Sequence, residues 1–504
     1  MADPQATTED REPAAMSVRG AAVWAMAAQY LSFAIQFIAS VLISRLFLSP
    51  GEVGLFSIGL ATALIVAVLQ DFGLSRYISG LTNLDEDEVA RCGSVAILFS
   101  LLIAAIVAAT AWPMAATYHE ARLAPILLII ASSYLFVPLS VVPMALLARS
   151  MQFRGHFAIN VTAALVQGGT AVGLAAAGYS SFALAWATVA AAATRGIVAQ
   201  IICPSWPRRL RFDGIRGVVG FGARASVLYL TGALGTRTPD LIVGKTLGVT
   251  AVGLYSRAVS LSDQFRMLIS GAIGSVFFPA FARIRDRGEP LGPAYLRVCA
   301  GYSGVVWPGM MGLALASEPI IRLLYGPAWL HTAPLLAMIA LAEVVLVALP
   351  LVSDLPILAG KLNALLARNL IDTAMSVILL GVFSHWGVEA AAGSRIAYAL
   401  FWYALYFRFM HRVVDFELTG LLLIYLRSGL ASAAALAPLA LTYVFWSGPQ
   451  SITLAVLALA SAAGVVCWII ALALLRHPVL AEILGMAAAV PGVRSCVPAR
   501  FRAA

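Results

Sequence analysis

The sequence predicts an all-α polytopic membrane protein with 14 transmembrane helices, and three observations predict it. Mean hydropathy is +0.91. Hydrophobic residues make up 61% of the 504 positions and charged residues only 11%, whereas soluble chains are about one quarter charged. The apolar residues also fall into long runs separated by short basic loops. A helix needs about 20 apolar residues to cross the hydrocarbon core, so the chain has room for many crossings and none for a large further domain.

Taken in order, the apolar runs place helices near 21–46, 53–75, 93–115, 124–148, 158–178 and 182–203 in a first half. A second set falls near 220–247, 252–281, 298–318, 332–358, 367–386 and 388–409, followed by 428–446 and 452–475. The first twenty residues are polar and proline-bearing and lack the basic-then-apolar pattern of a signal peptide. The expected organisation is a disordered cytoplasmic tail (1–19), a first lobe (20–203), a basic cytoplasmic linker (204–219), a second lobe (220–409), two further helices (410–475) and a cytoplasmic C-terminal tail (476–504).

Loop charge orients these crossings. An even number places both termini on one side, and the loops of that side hold 23 of the 33 basic residues. The opposite side holds four: Arg45, Arg122, Lys245 and Arg322. By the positive-inside rule both termini are cytoplasmic. The longest far-side loop, PIIRLLYGPAWLH at 319–331, is half apolar and is expected at the membrane interface.

Several function classes are excluded. The net charge of +9 sits in loop clusters that set topology, so nucleic acid is not an expected partner. The five cysteines stand alone, the six histidines are scattered, and no HExxH occurs, so neither a disulfide framework nor a metal site is expected. VGKT at 243–246 lacks the glycine a Walker loop needs at position 239, which is Pro239, and GFGARA at 220 follows no strand. No cofactor and no enzymatic activity are expected.

An internal repeat is visible. ISRLFLSPGEVGLFS at 43–57 and VGKTLGVTAVGLYS at 243–256 both carry a basic residue and then VGL-aromatic-Ser. PMALLARSMQFR after the fourth helix faces PILAGKLNALLARN after the tenth. Six helices per copy is an even number, so the two copies enter from the same side and flank a central cavity, related by an axis along the membrane normal. The simpler alternative is that VGLFS is a common way to begin a helix.

In that order, SPGEVGLFSIGLATALIVAVLQDFGLSRYI, PDLIVGKTLGVTAVGLYSRA, FFPAFARIRD and LYGPAWLHTAPLLAMIALAE resemble the polysaccharide transporter branch of the MOP flippase superfamily, which includes Wzx-type O-antigen and colanic-acid-type exporters. The resemblance spans residues 17 to 475. It implies two six-helix lobes plus two extra helices around a cavity for a sugar-diphosphate head group, with the polyprenyl tail in lipid and alternating access moving the head group outward. It further implies a lipid-linked oligosaccharide as substrate, membrane lipid as surroundings, and a polysaccharide polymerase and other assembly proteins as partners.

A diphosphate leaving water needs counter-charge, and an arginine at the bilayer centre costs about 2.5 to 3.5 kcal/mol unless it has a partner or faces water. The candidate substrate-binding residues are Arg237, Arg257, Arg224 and Arg266, with Arg45 and Lys245 at matching places in the repeat. Arg257 and Arg266 lie nine residues apart, or about 180° around a helix, so both cannot point into one cavity. Asp240 and Asp263 stand three residues from Arg237 and Arg266 and form either structural couples or part of the site. Asp71 and Asp372, with Arg195, Glu343, Asp354 and Arg395, either carry a coupling ion or pair with a neighbour. Pro239 is expected to loosen the seventh helix. A drug or cation antiporter of the same superfamily, a membrane polymerase and a structural scaffold are the alternative functions.

Overall fold

The computed structural model describes residues 18–71, 74, 77–78, 85–207, 209, 211, 234–274 and 277–480. Most of both expected tails and of the basic linker therefore lies outside the described residues, whose regular elements are all helices, with no strand. The chain divides into two compact units, residues 1–48 with 59–230, and residues 49–58 with 231–504.

The first unit contains α1 (Val18–Leu46), most of α2 (Pro50–Asp71), α3 (Glu86–Tyr118), α4 (Leu123–Ser133), α5 (Pro138–Arg149), α6 (Phe153–Ala176) and α7 (Phe182–Ile202). α1 packs on α6, α6 on α7, α3 on α4, and both α4 and α5 on α7. The buried positions of α6 and α7 include Ala163, Ala164, Gly168, Ala183, Ala187 and Ala191, and Gly168 faces Ile35 and Ala39 of α1. Small residues let backbones approach where lipid supplies no hydrophobic drive between helices. α3 begins on Asp85, whose carboxylate accepts from the Glu88 amide at 2.7 Å. Its acidic first turn also holds the start of the linker, through Arg211 to Asp87 at 2.6 Å and the Arg211 amide to Ser94 Oγ at 2.8 Å.

The helix expected at 124–148 is broken. α4 and α5 meet at 46°, joined by the 3-10 turn Tyr134–Phe136. Pro138 lacks an amide donor and disfavours helical backbone just before it, which accounts for the corner. The Tyr134 hydroxyl secures it by donating to the Ala63 carbonyl at 3.3 Å.

In the second unit, residues 234–247 form α8. They remain helical on both sides of Pro239, so the expected loosening does not interrupt the helix. α9 (Val249–Gly274), α10 (Phe277–Asp286), α11 (Gly292–Leu315), α12 (Ser317–Leu324) and α13 (Thr332–Leu346) follow. α14 (Asp354–Leu358), α15 (Leu362–Phe383), α16 (Val388–Val414), α17 (Leu418–Phe445) and α18 (Leu454–Leu474) complete it. α11 packs on α13, α13 on α16, α15 on α16, and α9 on both α11 and α13, while α17 joins α11 to α18. The helix expected at 332–358 is interrupted like its counterpart. It stops at Leu346, and the chain turns through Pro350 and Leu351, whose φ is +58°, before α14. Past α18, His477 is buried, with Ser428 Oγ at 2.9 Å from its Nε2 and Ser303 Oγ 2.9 Å beyond that.

The two copies of the repeat motif touch within this unit. Ser49 and Glu52 cap the start of α2 reciprocally, the Ser49 amide to Glu52 Oε2 at 2.8 Å, with Pro50 at the first helical position. A Cβ on Gly54 would overlap the Val249 carbonyl, and a Cβ on Gly253 would overlap the Pro50 carbonyl. Ser57 Oγ lies 3.1 Å from Ser256 Oγ. Each contact maps onto the other when the two VGL-aromatic-Ser segments are exchanged.

Among the described residues, nine helices are long and apolar enough to cross a membrane, or up to ten if the bent α4–α5 pair is one span. Of the further crossings expected, the one at 220–247 lies in its first half outside the described residues, and two others fall short for physical reasons. α13 has only 15 residues, and α9 spreads Arg257, Asp263 and Arg266 along its length. The segment at 319–331, expected at the membrane interface, is folded. It forms α12 and the 3-10 turn Pro327–Trp329, with Trp329 fully buried.

Candidate functional site

α9 presents its charges on opposite faces, as a nine-residue spacing requires. Arg257 lies over two aromatic rings, with its guanidinium 5.4 Å from the Tyr325 ring and 5.5 Å from the Trp329 ring. Each such contact contributes about 0.5–1 kcal/mol or more when water is excluded. Arg257 thus holds the 325–329 turn against α9. Neither aromatic partner is among the sequence candidates, although the Tyr-Gly-Pro-x-Trp pattern at 325–329 contains both.

Arg266 faces the other way. Its Nη2 is 3.1 Å from Asp263 Oδ1, and its Nε is 3.1 Å from Glu343 Oε2 on α13. The second oxygen of Glu343 is 3.6 Å from Arg395 Nη2 on α16. Arg395 in turn lies over the Tyr398 ring at 5.5 Å, and the Tyr398 hydroxyl bonds to Asp372 on α15. One buried carboxylate therefore stands between two guanidinia, and the chain Asp263–Arg266–Glu343–Arg395 joins three helices. Exposure is lowest at its centre, 7% at Glu343 against 50% and 37% for the Asp263 and Arg266 side chains and 21% for Arg395.

The remaining sequence candidates are distributed as follows. Arg237 is exposed on α8 and Asp240 is partly buried; no ion pair within 4 Å joins them among the described residues. Arg45 and Lys245 are exposed in the last turns of α1 and α8. Arg195 is exposed on α7, and Asp354 begins α14. Arg224 and the side chain of Asp71 lie outside the described residues. Glu343 and Arg395 were each named as buried charges, but their partnership with Arg266 was not. Among the described residues no group of three or more His, Cys, Asp or Glu side chains is arranged to hold a metal ion.

Long apolar helices around such charge pairs define a multi-pass membrane protein. Residues 41–334 match the family of polysaccharide biosynthesis proteins, more than half of the chain, and the protein belongs to that family. It is 21% identical to an uncharacterized membrane protein of the cps region in Klebsiella pneumoniae, over 75% of this chain and 79% of that one. It is 24% identical to the succinoglycan biosynthesis transport protein ExoT of Rhizobium meliloti, over 67% of this chain and 68% of that one. Among solved structures, the lipid II flippase MurJ in its inward closed conformation superposes with a TM-score of 0.70 at 15% identity, covering 90% of this chain and 98% of that one. The fold is therefore that of MurJ.

Proposed function

We propose that the protein is a flippase that carries polyprenyl-diphosphate-linked oligosaccharide repeat units across the bacterial inner membrane for a surface polysaccharide, whether O-antigen, capsule or exopolysaccharide. The observation that carries this proposal is the set of arginines midway along the helices of a chain in this family. A dry interior tolerates such charges only with partners, and an anionic head group is the partner a polysaccharide transporter brings. In this proposal 14 crossings form two six-helix lobes and two extra helices, both termini are cytoplasmic, and alternating access moves the head group while the tail stays in lipid. Arg237, Arg224 and, of the α9 pair, Arg266 supply counter-charge, while Arg257 on the opposite face braces the 325–329 turn; Arg45 and Lys245 are matched in the two lobes. Asp240, Asp263, Asp71 and Asp372 pair with them or carry a coupling ion. A cation antiporter would use a buried acidic group for its substrate, and the one carboxylate buried among the described residues, Glu343, is already neutralised by two arginines.

The test is export of polysaccharide from a strain lacking the chromosomal copy. Arg237→Ala is expected to lower surface polysaccharide at least tenfold while lipid-linked repeat units accumulate inside, and Arg237→Lys to do less damage. If Arg237 serves only to neutralise Asp240, the double variant Arg237→Ala/Asp240→Ala will restore export, and that result removes Arg237 from the substrate path. Orientation is tested separately. Cysteines at Ser180 and Gly448 are expected to react with an impermeant thiol reagent from outside and one at Gly288 is not; the reverse pattern overturns the topology.

A further inference from the structure

Glu343 is 5% exposed and lies about 16 Å along α13 at about 1.5 Å per residue. Ion pairs buried this way add little stability over an apolar replacement, because desolvation offsets the attraction. Packing alone therefore does not account for a carboxylate here. Its two partners are also held unequally. The ion pair from Arg266 Nε is 3.1 Å long, whereas Arg395 Nη2 stands 3.6 Å away, beyond a normal hydrogen bond. Arg395 Nε is buried and has no hydrogen-bond partner among the described residues. A planar guanidinium that uses its donors so loosely suits a second, larger anion, since its fork matches phosphate oxygens as well as carboxylate. The 37% exposure of the Arg266 side chain leaves an approach to the pair.

Resting on the flippase function above, we propose that Glu343 is a resident anion occupying the place of the substrate's diphosphate between Arg266 and Arg395, and that the diphosphate displaces it during transport. The incoming oxygens take the guanidinium donors that Glu343 holds, no covalent bond changes, and Glu343 is released from α9 and α16. Substrate arrival is thereby coupled to the tie between three helices, because the ligand binds the untied arrangement better than the tied one. Competition also sets selectivity. A group with a single charge gains too little to expel a carboxylate, whereas a diphosphate gains enough. Glu343 is then a positioning and specificity residue, and Arg395 joins Arg266 as an anion contact.

The experiment is titration of the full-length protein, in nanodiscs of zwitterionic lipid, with inorganic pyrophosphate and separately with inorganic phosphate, followed calorimetrically. Wild type is expected to bind pyrophosphate, Glu343→Gln to bind it about tenfold tighter with weaker discrimination against phosphate, Arg395→Ala to bind at least tenfold more weakly, and Arg395→Lys to fall between. If Glu343→Gln does not fold, Glu343→Asp retains the charge but shortens its reach, and is expected to bind several-fold tighter than wild type. The proposal is overturned if removal of the Glu343 carboxylate does not tighten binding, if Arg266→Ala and Arg395→Ala bind as wild type does, or if no pyrophosphate binds. It is also overturned if phosphatidylglycerol in the disc abolishes the pyrophosphate response, which would assign the site to a lipid head group. Export by the wild-type gene in the deletion strain is read independently, so the flippase function can stand while this exchange fails.

Discussion

The two units pair their helices in the same order but close them with different chemistry. In the first, α3 packs on α4, α4 on α7 and α6 on α7; in the second, α11 packs on α13, α13 on α16 and α15 on α16. Both also contain an interrupted helix at the same place, α4–α5 and α13–α14. Counting 11 residues on from the first residue of each of these helices gives Tyr134 in one and Glu343 in the other. Tyr134 closes its unit with a neutral bond from its hydroxyl to the Ala63 carbonyl of α2. Glu343 closes its unit with ion pairs to Arg266 of α9 and Arg395 of α16. The first unit's ion pairs lie at the end of α3, whereas the second unit, besides pairs at 285–289 and on α12, has a set that runs through mid-helix. A duplicated scaffold can thus keep its packing while one copy specialises in charge, because packing depends on the shapes of helix faces and function on a few polar substitutions within them.

The largest effect is expected at the contact the two motif copies share. Gly54→Val and Gly253→Val each force a side chain into a backbone carbonyl, and overpacking of that kind costs about 1–3 kcal/mol or more. Both variants are expected to unfold at lower temperature and to export poorly, and to similar extents, since the contact is reciprocal. A large loss at one glycine with none at the other would break the symmetry.

A smaller difference should separate the two closures. Arg395→Met leaves Glu343 with one partner and is expected to cost about 3 kcal/mol. Tyr134→Phe removes one neutral hydrogen bond and should cost about 1 kcal/mol. Thermal unfolding in one detergent measures both. Equal losses would mean that the charged cluster is no more demanding than its neutral counterpart.

The smallest effect concerns the segment after α18. Burial first, and then the nearby Arg427, hold the His477 imidazole down to about 4, against about 6.5 for a free histidine. Because the folded value is depressed, docking of this segment is fully supported above about pH 6.5 and weakens as pH falls toward 4. Fluorescence of Trp468, whose Nε1 donates to the Gly304 carbonyl at 2.9 Å, should change over that window in wild type. It should stay flat in His477→Gln.

Much of this architecture is legible in the residues themselves. Apolar runs mark where helices lie because backbone polar groups in lipid must be satisfied within each segment. The VGL-aromatic-Ser match marks the two copies of the hairpin, and the spacing of Arg257 and Arg266 already places them on opposite faces. Helix ends are less legible. α17 begins ten residues earlier than expected, at Leu418 rather than 428, because the preceding segment LTGLLLIYLR is itself mostly apolar and Arg427 within it does not end the helix. The breaks at 134–138 and 347–353 were hidden inside continuous hydropathy, which averages over the single proline that causes a corner.

What the sequence by itself determined is the membrane character, the helical periodicity and the identity of the charges that need partners. Only the tertiary structure decided which charges meet. Glu343 is far along the chain from both Arg266 and Arg395, and Arg257 is equally far from Tyr325 and Trp329. Periodicity establishes which face of its own helix a residue occupies, but the partner across the interface depends on how α9, α13 and α16 pack. That packing is set by the summed shape of many small side chains, and no local pattern around any one charge contains it.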